Sequence, residues 1–210
     1  MLRILKGFLT LKDESFEYVF DSDEIFPLCL VILFLSCISG SLHPFLVESN
    51  NIIFTFSEFI TKFIGLLSQN LFIISGIYFI GISFLANNQR VGITAENEII
   101  NDNKLNLLNI RRMFQLLGFS QIPVLIGMVS TIPGISGIPS LVFFIMVLST
   151  IWLYALITKS VYIGYGFKFD INSSKQVRYI KSILIVLFTY VPSVLIFQLF
   201  ISGLIYNLIT

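Results

Sequence analysis

The chain has 210 residues, of which 56% are hydrophobic and 12% are charged, and its net charge is +1. Globular domains in water carry roughly 25% charged residues, so this composition excludes a soluble domain and predicts an integral membrane protein. The net charge gives no useful information about partners, because in a membrane protein the side on which each charge lies is what matters. Membrane lipids are the expected partners, and no nucleic acid is expected.

The first 25 residues have the pattern of an amphipathic helix that lies at a membrane surface. Leu2, Ile4, Leu5, Phe8 and Leu9 are interspersed with Arg3, Lys6 and Lys12. Six carboxylates follow between Asp13 and Glu24. They form either a metal or partner site or a solvated approach to the membrane, and the second interpretation is favoured because charge clusters usually face water. Residues 1–25 are thus predicted to precede a membrane domain that covers 26–210.

A first span is predicted from Phe26 to about Leu42, where prolines lie near both boundaries. Such a helix is about 26 Å long, just enough to cross the hydrocarbon. Cys29 and Cys37 are about 12 Å apart along it, too far to form a disulfide within one helix, and are predicted to be small core residues. His43, the only histidine, is predicted to be interfacial, since no metal-ligand spacing surrounds it.

Residues 52–86 form an apolar run too long for one perpendicular crossing. The predicted division places residues 52–63 along the outer interface and lets Phe63 to Ala86 cross. Glu58 and Lys62 are one helical turn apart and can pair at that interface. In a transporter the same pair would be an ion or proton relay.

The central part of the chain, from Arg111 to Gly166, is predicted to be a transmembrane helical hairpin. A short third span from Gly118 to Ile132 is separated by the turn PGISGIP from a fourth span, Ser140 to Ile163. The third span should stand nearly upright, whereas the longer fourth span tilts or extends past the interface. Lys159 is the only charge in this region after the two leading arginines.

Small residues in the central hairpin are predicted to face neighbouring helices rather than lipid, because they let backbones approach closely. These residues are Gly118, Gly127, Ser130 and Gly134. On this interpretation, enlarging Gly127 to Leu lowers the thermal stability in detergent.

A fifth span is predicted from about Ile183 to Ile209, with a kink at Pro192, which has no amide hydrogen for the helix ladder. With five spans, twelve of the thirteen basic residues fall on one side of the membrane and only Lys62 falls on the other. The rule that basic loops stay inside then places the N-terminus on the cytoplasmic or stromal side and the C-terminus on the opposite side. A bacterial inner membrane or an organelle membrane fits this topology.

Two short motifs in the central hairpin resemble those of the Yip (Ypt-interacting protein) domain family. Gly118, Phe119 and Pro123 match the Gly-Tyr/Phe, three residues and Pro that open that family's third span, and Trp152 matches a tryptophan in its fourth span. Together with the five spans, these motifs extend the resemblance over most of the chain. Eukaryotic members also carry a long N-terminal arm with an Asp-Leu-Tyr-Gly-Pro motif and are linked to vesicle traffic and small GTPases. This chain has neither arm nor motif, so it looks like a short bacterial or organellar member, to which no GTPase-related role carries over.

The tripeptide Gly164-Tyr165-Gly166 resembles the selectivity filter of potassium channels. A filter follows a short pore helix within the membrane, whereas this tripeptide ends a full-length span and leads into Lys168. It is therefore interpreted as the end of a helix at the interface.

No catalytic signature or cofactor fingerprint occurs in the sequence. The leading functional hypothesis is a non-enzymatic membrane protein that organises or assists other membrane proteins, and the alternative is a small transporter or channel subunit. A polar cavity between the spans would favour the alternative. The candidate surface for a protein partner or for lipid headgroups includes Arg111, Arg112, Lys175 and Arg178, which lie among aromatic residues on the basic side.

Overall fold

The computed structural model describes residues 2–47, 56–86, 110–132, 134–165 and 174–196. In these ranges the chain forms eight α-helices and two short 3-10 turns, without a strand. The helices are α1 (Leu2–Leu9), α2 (Asp13–Asp21), α3 (Phe26–Val47), α4 (Phe56–Ala86), α5 (Ile110–Phe119), α6 (Ile122–Gly127), α7 (Pro139–Gly164) and α8 (Lys175–Ile196), and the 3-10 turns are Asp23–Ile25 and Met128–Thr131.

Five helical segments of the described chain are long and apolar enough to cross a membrane, which confirms an all-α polytopic protein. They are Asp23–Leu42, Phe59–Ser83, Ile110–Thr131, Pro139–Gly164 and Lys175–Ile196. The large apolar side chains that remain exposed on them include Phe79, Phe143, Phe144, Ile151 and Phe188. Water would penalise this surface, whereas lipid chains solvate it.

The fourth span agrees with its prediction to within a residue at either end, since α7 begins at Pro139 and ends at Gly164. Pro139 fits the first helical position because its missing amide hydrogen would have no partner there. In the turn before it, Gly134 has a φ of +96°, a conformation that favours glycine. A Cβ at Gly134 would meet no atom within 4 Å, so the prediction that Gly134 faces a neighbouring helix is wrong.

The third span differs from the predicted short, upright helix that starts at Gly118. Instead, α5 and α6 form one candidate crossing from Ile110 to Thr131, with a break after Phe119. The Gln121 amide donates to the carbonyl of Gly118 at 3.2 Å, a tighter pairing than in an α-helix. Pro123 then has no amide hydrogen to continue the α5 ladder. The motif residues therefore lie at a break inside the span rather than at its entrance.

The break is stabilised by a small polar cluster at the contact between α5 and α7. The hydroxyls of Ser120 and Ser160 are 2.9 Å apart, and both can donate to the carbonyl of Leu116, at 2.9 and 3.3 Å. All three residues are fully buried. The Leu116 carbonyl also accepts the Ser120 amide at 3.1 Å, so the last turn of α5 stays closed. The two hydroxyls thus find partners inside the bundle, as polar groups inside a membrane require.

The other long helices begin or end differently from their predicted spans. Helix α3 continues through Pro44 to Val47, and α4 is continuous from Phe56, so the predicted separation of an interfacial part before Phe63 does not appear as a break. Helix α8 begins at Lys175, earlier than predicted, because the hydroxyl of Ser174 accepts the Val177 amide at 3.4 Å and acts as an N-cap. Residues 197–210, which include the predicted end of the fifth span, lie outside the described residues.

The N-terminal segment folds as a helical hairpin, α1–α2, whose apolar side packs against protein. The rings of Phe8 and Phe16 stack at 3.9 Å between centroids, and Phe8 lies 5.5 Å from Phe119. Phe8, Phe16 and Val19 are fully buried in a cluster with residues of α3, α5 and α7. The predicted amphipathic pattern is present, but the bundle rather than lipid covers its apolar face.

Candidate functional site at the charged end of the bundle

Three acid–base pairs join the N-terminal segment to helices that come much later in the chain. Asp13 pairs with Lys159 of α7, Asp21 with Arg112 of α5 at 3.5 Å, and Asp23 with Arg111 of α5 at 3.9 Å. The Gln115 side-chain amide adds a bond of 2.8 Å to the carbonyl of Ser22. These pairs place the start of α5 and the last third of α7 at one end of the bundle, which we call the charged end.

Lys159 is the most enclosed cation among the described residues that form ion pairs. Its side chain is 7% exposed, and its Nζ lies 5.1 Å from the ring centroid of Tyr162 and 5.5 Å from that of Tyr179. The two rings stack on each other at 4.5 Å. Asp13 and the electron-rich ring faces together compensate the buried charge. The sequence offered one signal for this site, a single lysine in an apolar helix together with an acidic cluster elsewhere.

The predicted partner surface is divided by the structure. Arg111 and Arg112 contact acids of the N-terminal segment, and their guanidinium groups also lie over the rings of Phe26 (4.8 Å) and Phe20 (5.3 Å). These two cations therefore help to hold the fold together. Lys175 and Arg178 lie in the first turn of α8, where Lys175 is exposed and Arg178 is half-buried.

The residues that resemble the Yip motifs surround the N-terminal hairpin and the break in the third span. Phe119 is 1% exposed and packs on Phe8, while the Trp152 indole donates to the carbonyl of Leu9 at 3.1 Å. A Cβ added to Gly118 would be 3.2 Å from both the Cβ and the carbonyl oxygen of Cys29. Gly118 thus permits a close contact between α5 and α3. Pro123 is buried in the first turn of α6.

The end of α7 is fixed to α4 by Tyr165, the central residue of the channel-like tripeptide. Its ring is completely buried, lies against Gly81, and its hydroxyl is 3.0 Å from the carbonyl of Ile77 and 2.8 Å from that of Tyr78. The side chain, rather than a row of backbone carbonyls, makes the contact. In this structure Tyr165 therefore joins two helices.

The remaining candidate residues show no arrangement for chemistry. Among the described residues there is no group of three or more His, Cys, Asp or Glu side chains that could hold a metal ion. Cys29 and Cys37 are buried free thiols, as predicted. The side chains of His43 and Glu58 lie outside those described, so the predicted Glu58–Lys62 pair stays a prediction.

A cavity of about 250 Å³ lies between α3, α6 and α7 at membrane depth. Its walls include Ser39, Val124, Gly127 and Leu153, and they present mainly apolar atoms. The Ser39 hydroxyl donates a hydrogen bond to the carbonyl of Val124 at 3.4 Å. This cavity does not have the polar lining that a path for ions or polar solutes requires.

Fold and charge distribution together define the class: a multi-pass α-helical membrane protein whose N-terminal segment is held to the bundle by acid–base pairs. No protein-family model, no curated protein and no solved structure matches the chain. The resemblance to the Yip family thus depends on the short motifs around Gly118 and Trp152.

Proposed function

We propose that the protein is a non-enzymatic integral membrane protein that organises or assists other membrane proteins, in membrane traffic or membrane homeostasis. The proposal depends on one observation: in three of the spans, only a small share of the residues is buried. In the most apolar windows of α4, α7 and α8, only 17%, 22% and 28% of the residues are buried. Three spans thus present wide lateral surfaces to lipid or to the helices of other proteins.

The first half of α7 is the most exposed of these surfaces. No residue between Pro139 and Trp152 is buried, and Phe143 and Phe144 are 70% and 62% exposed. Along about 20 Å, the helix therefore contacts the described part of the chain on one side, at Ser149 among others, and exposes its other sides. Such a helix suits lateral contact with other membrane proteins.

Buried polar side chains within the described spans support the non-enzymatic part of the proposal. The hydroxyls of Ser36, Ser41, Thr189 and Ser193 donate to backbone carbonyls three or four residues earlier in their own helices. They are already used in local structure, so they do not converge on a common point as catalytic groups do.

We expect the N-terminus on the cytoplasmic or stromal side and the C-terminus on the opposite side, because of the basic residues at the charged end. A reporter fused after Thr210 should be detected outside, and one inserted near Asn101 should be detected inside. Enzymatic labelling of both fusions in intact and permeabilised cells or organelles measures this. Finding both reporters on one side would contradict five spans.

A test of the organising role must separate the cations that hold the fold from those that are accessible. We expect the variant K175Q to keep its thermal stability but to lose a co-purifying membrane protein, because Lys175 lies exposed in the first turn of α8. The variant R111Q/R112Q should instead lower thermal stability, since it removes two links to the N-terminal segment. Quantitative mass spectrometry after crosslinking in the native membrane gives the comparison.

The matched control is K62Q, which removes an exposed cation from α4, on the predicted opposite side of the membrane. Equal loss of the partner in K62Q and K175Q would mean that overall charge, not a specific surface, holds it. The transporter alternative makes a different prediction. Ion or solute flux by the purified protein in liposomes, abolished by replacing Glu58, would overturn the organising role.

A further inference from the structure

A second cavity, of about 260 Å³, lies at the charged end between the N-terminal hairpin and the membrane domain. Five elements contribute to it: α1, α2, the 3-10 turn Asp23–Ile25, α3 and α5. It is separate from the apolar cavity between α3, α6 and α7. None of the residues that form the three acid–base pairs lines it.

The cavity is polar at one end and apolar at the other. Glu24 is exposed and follows Asp23, whose carbonyl and carboxylate both contact Arg111 at the start of α5. Phe119, which also lines the cavity, comes about two turns, or 12 Å, further along α5. It is 1% exposed. The cavity therefore extends from a carboxylate at the membrane surface to an aromatic ring inside the bundle.

Apolar side chains form the walls between these two ends. Ile4 and Leu5 of α1 face the cavity from one side and Leu28 of α3 from another, and all three are half-buried. Leu28 belongs to the first candidate span, Asp23–Leu42, so this part of the cavity lies where lipid chains begin. A hydrocarbon chain is the occupant that such walls accommodate.

The polar end has the chemistry of an ammonium site. The Glu24 carboxylate only accepts hydrogen bonds and carries negative charge. Tyr18, which is 48% exposed, contributes a phenol ring whose face attracts cations. An ammonium group is attracted to both side chains. A headgroup with a phosphate but no ammonium group would instead bring a second negative charge close to Glu24.

We propose that this cavity binds a membrane lipid whose headgroup carries a primary ammonium, with the ammonium at Glu24 and Tyr18 and one acyl chain directed toward Phe119. The basic residues near the cavity would by themselves favour anionic lipids. Selection of an ammonium lipid at a cation-rich end would therefore be due to the acidic rim of the cavity.

Native mass spectrometry of the purified full chain with three lipids of identical acyl chains tests the proposal. We expect dioleoyl phosphatidylethanolamine to bind more tightly than dioleoyl phosphatidylcholine, and dioleoyl phosphatidylglycerol to bind least. The variant E24Q should lose about threefold to fivefold in phosphatidylethanolamine affinity, the range of a partly exposed charged contact. The control E17Q removes another exposed acid, which does not line the cavity, and should keep the order.

A second variant, L28F, enlarges a wall residue and should weaken the binding of all three lipids. Circular dichroism shows whether L28F folds. If L28F does not fold, E24Q alone tests the proposal, because it alters only an exposed side chain. Equal binding of the three lipids, a preference for phosphatidylglycerol, or an unchanged phosphatidylethanolamine affinity in E24Q would overturn the proposal.

Discussion

Replacing Tyr165 by Ala should cost about 3–5 kcal/mol of stability, the range for removing a fully buried aromatic side chain. The ring fills the space between α7 and Gly81 of α4, and its hydroxyl bonds two α4 carbonyls. In Y165F the ring stays and only the hydroxyl is lost, so the expected cost is about 0.5–1.5 kcal/mol. Thermal unfolding in a mild detergent measures both. Equal stability of Y165A and the wild type would contradict the role of Tyr165 as the joint between α4 and α7.

A double-mutant cycle with Gly81 tests the same contact from the other helix. The variant G81A places a methyl group against the Tyr165 ring and should destabilise the protein. In the double variant G81A/Y165A that collision is absent, so the two effects should not add. The matched control is G65A, also in α4, where an added Cβ meets no atom within 4 Å. Additive effects would show that Gly81 matters for a reason other than Tyr165.

The second large effect is expected at Gly118, where α5 passes close to α3. A Cβ there meets the backbone of Cys29 at 3.2 Å, and a backbone group cannot turn away as a flexible side chain can. We expect G118V to lose about 1–3 kcal/mol or more through overpacking. In a protein of this size, each kcal/mol lowers the melting temperature by roughly 2–4 °C.

The control for Gly118 is G65V, the same substitution in an open part of α4. Gly127 gives a second comparison, because an added Cβ would be in ordinary contact, 3.4 Å from the Ser149 hydroxyl, beside the apolar cavity. The prediction from sequence that G127L is harmful thus becomes weaker than the prediction for G118V. A larger loss in G65V or G127L than in G118V would contradict this ranking.

The number and type of the spans could be predicted from the sequence because both follow from composition and length. Helix α7 is the clearest case: Pro139 begins it, and the glycine at φ +96° marks the turn before it. These signals are local, so they need no knowledge of what packs against what. Of the four small residues predicted at helix contacts, Gly118, Gly127 and Ser130 are buried, whereas Gly134 is exposed in the turn.

The break in the third span was missed because the proline signal is ambiguous and the polar contact beside the break joins two helices. Pro123 could equally open a helix or interrupt one. Ser160 of α7, which supplies a hydroxyl beside the Leu116 carbonyl, is 44 residues further along the chain than that carbonyl. A sequence pattern at residues 118–123 cannot indicate that such a partner exists.

The candidate site was predicted in part. The sequence predicted that the cations gather on one side, and the structure brings Arg111, Arg112 and Lys159 to one end of the bundle. It did not show that the acids at Asp13 to Asp23 pair with them, because the pairing depends on how α1–α2 folds back. The cavity at Glu24 could not be predicted for the same reason, since its lining needs five elements in contact.

The N-terminal hairpin α1–α2 docks on helices that are synthesised much later than the hairpin itself. The Trp152 indole that bonds Leu9 is made 143 residues after it, and Gln115 follows Ser22 by 93 residues. At translation rates of about 5–20 residues per second, the hairpin waits about 7–30 s for its complete docking surface. Until α5 and α7 are made, α3 alone among the membrane helices of this cluster can pack on Phe8 and Phe16, so part of the apolar face has no protein partner. We expect that part to bind the membrane surface early in biogenesis, and the acid–base pairs to form when docking is complete.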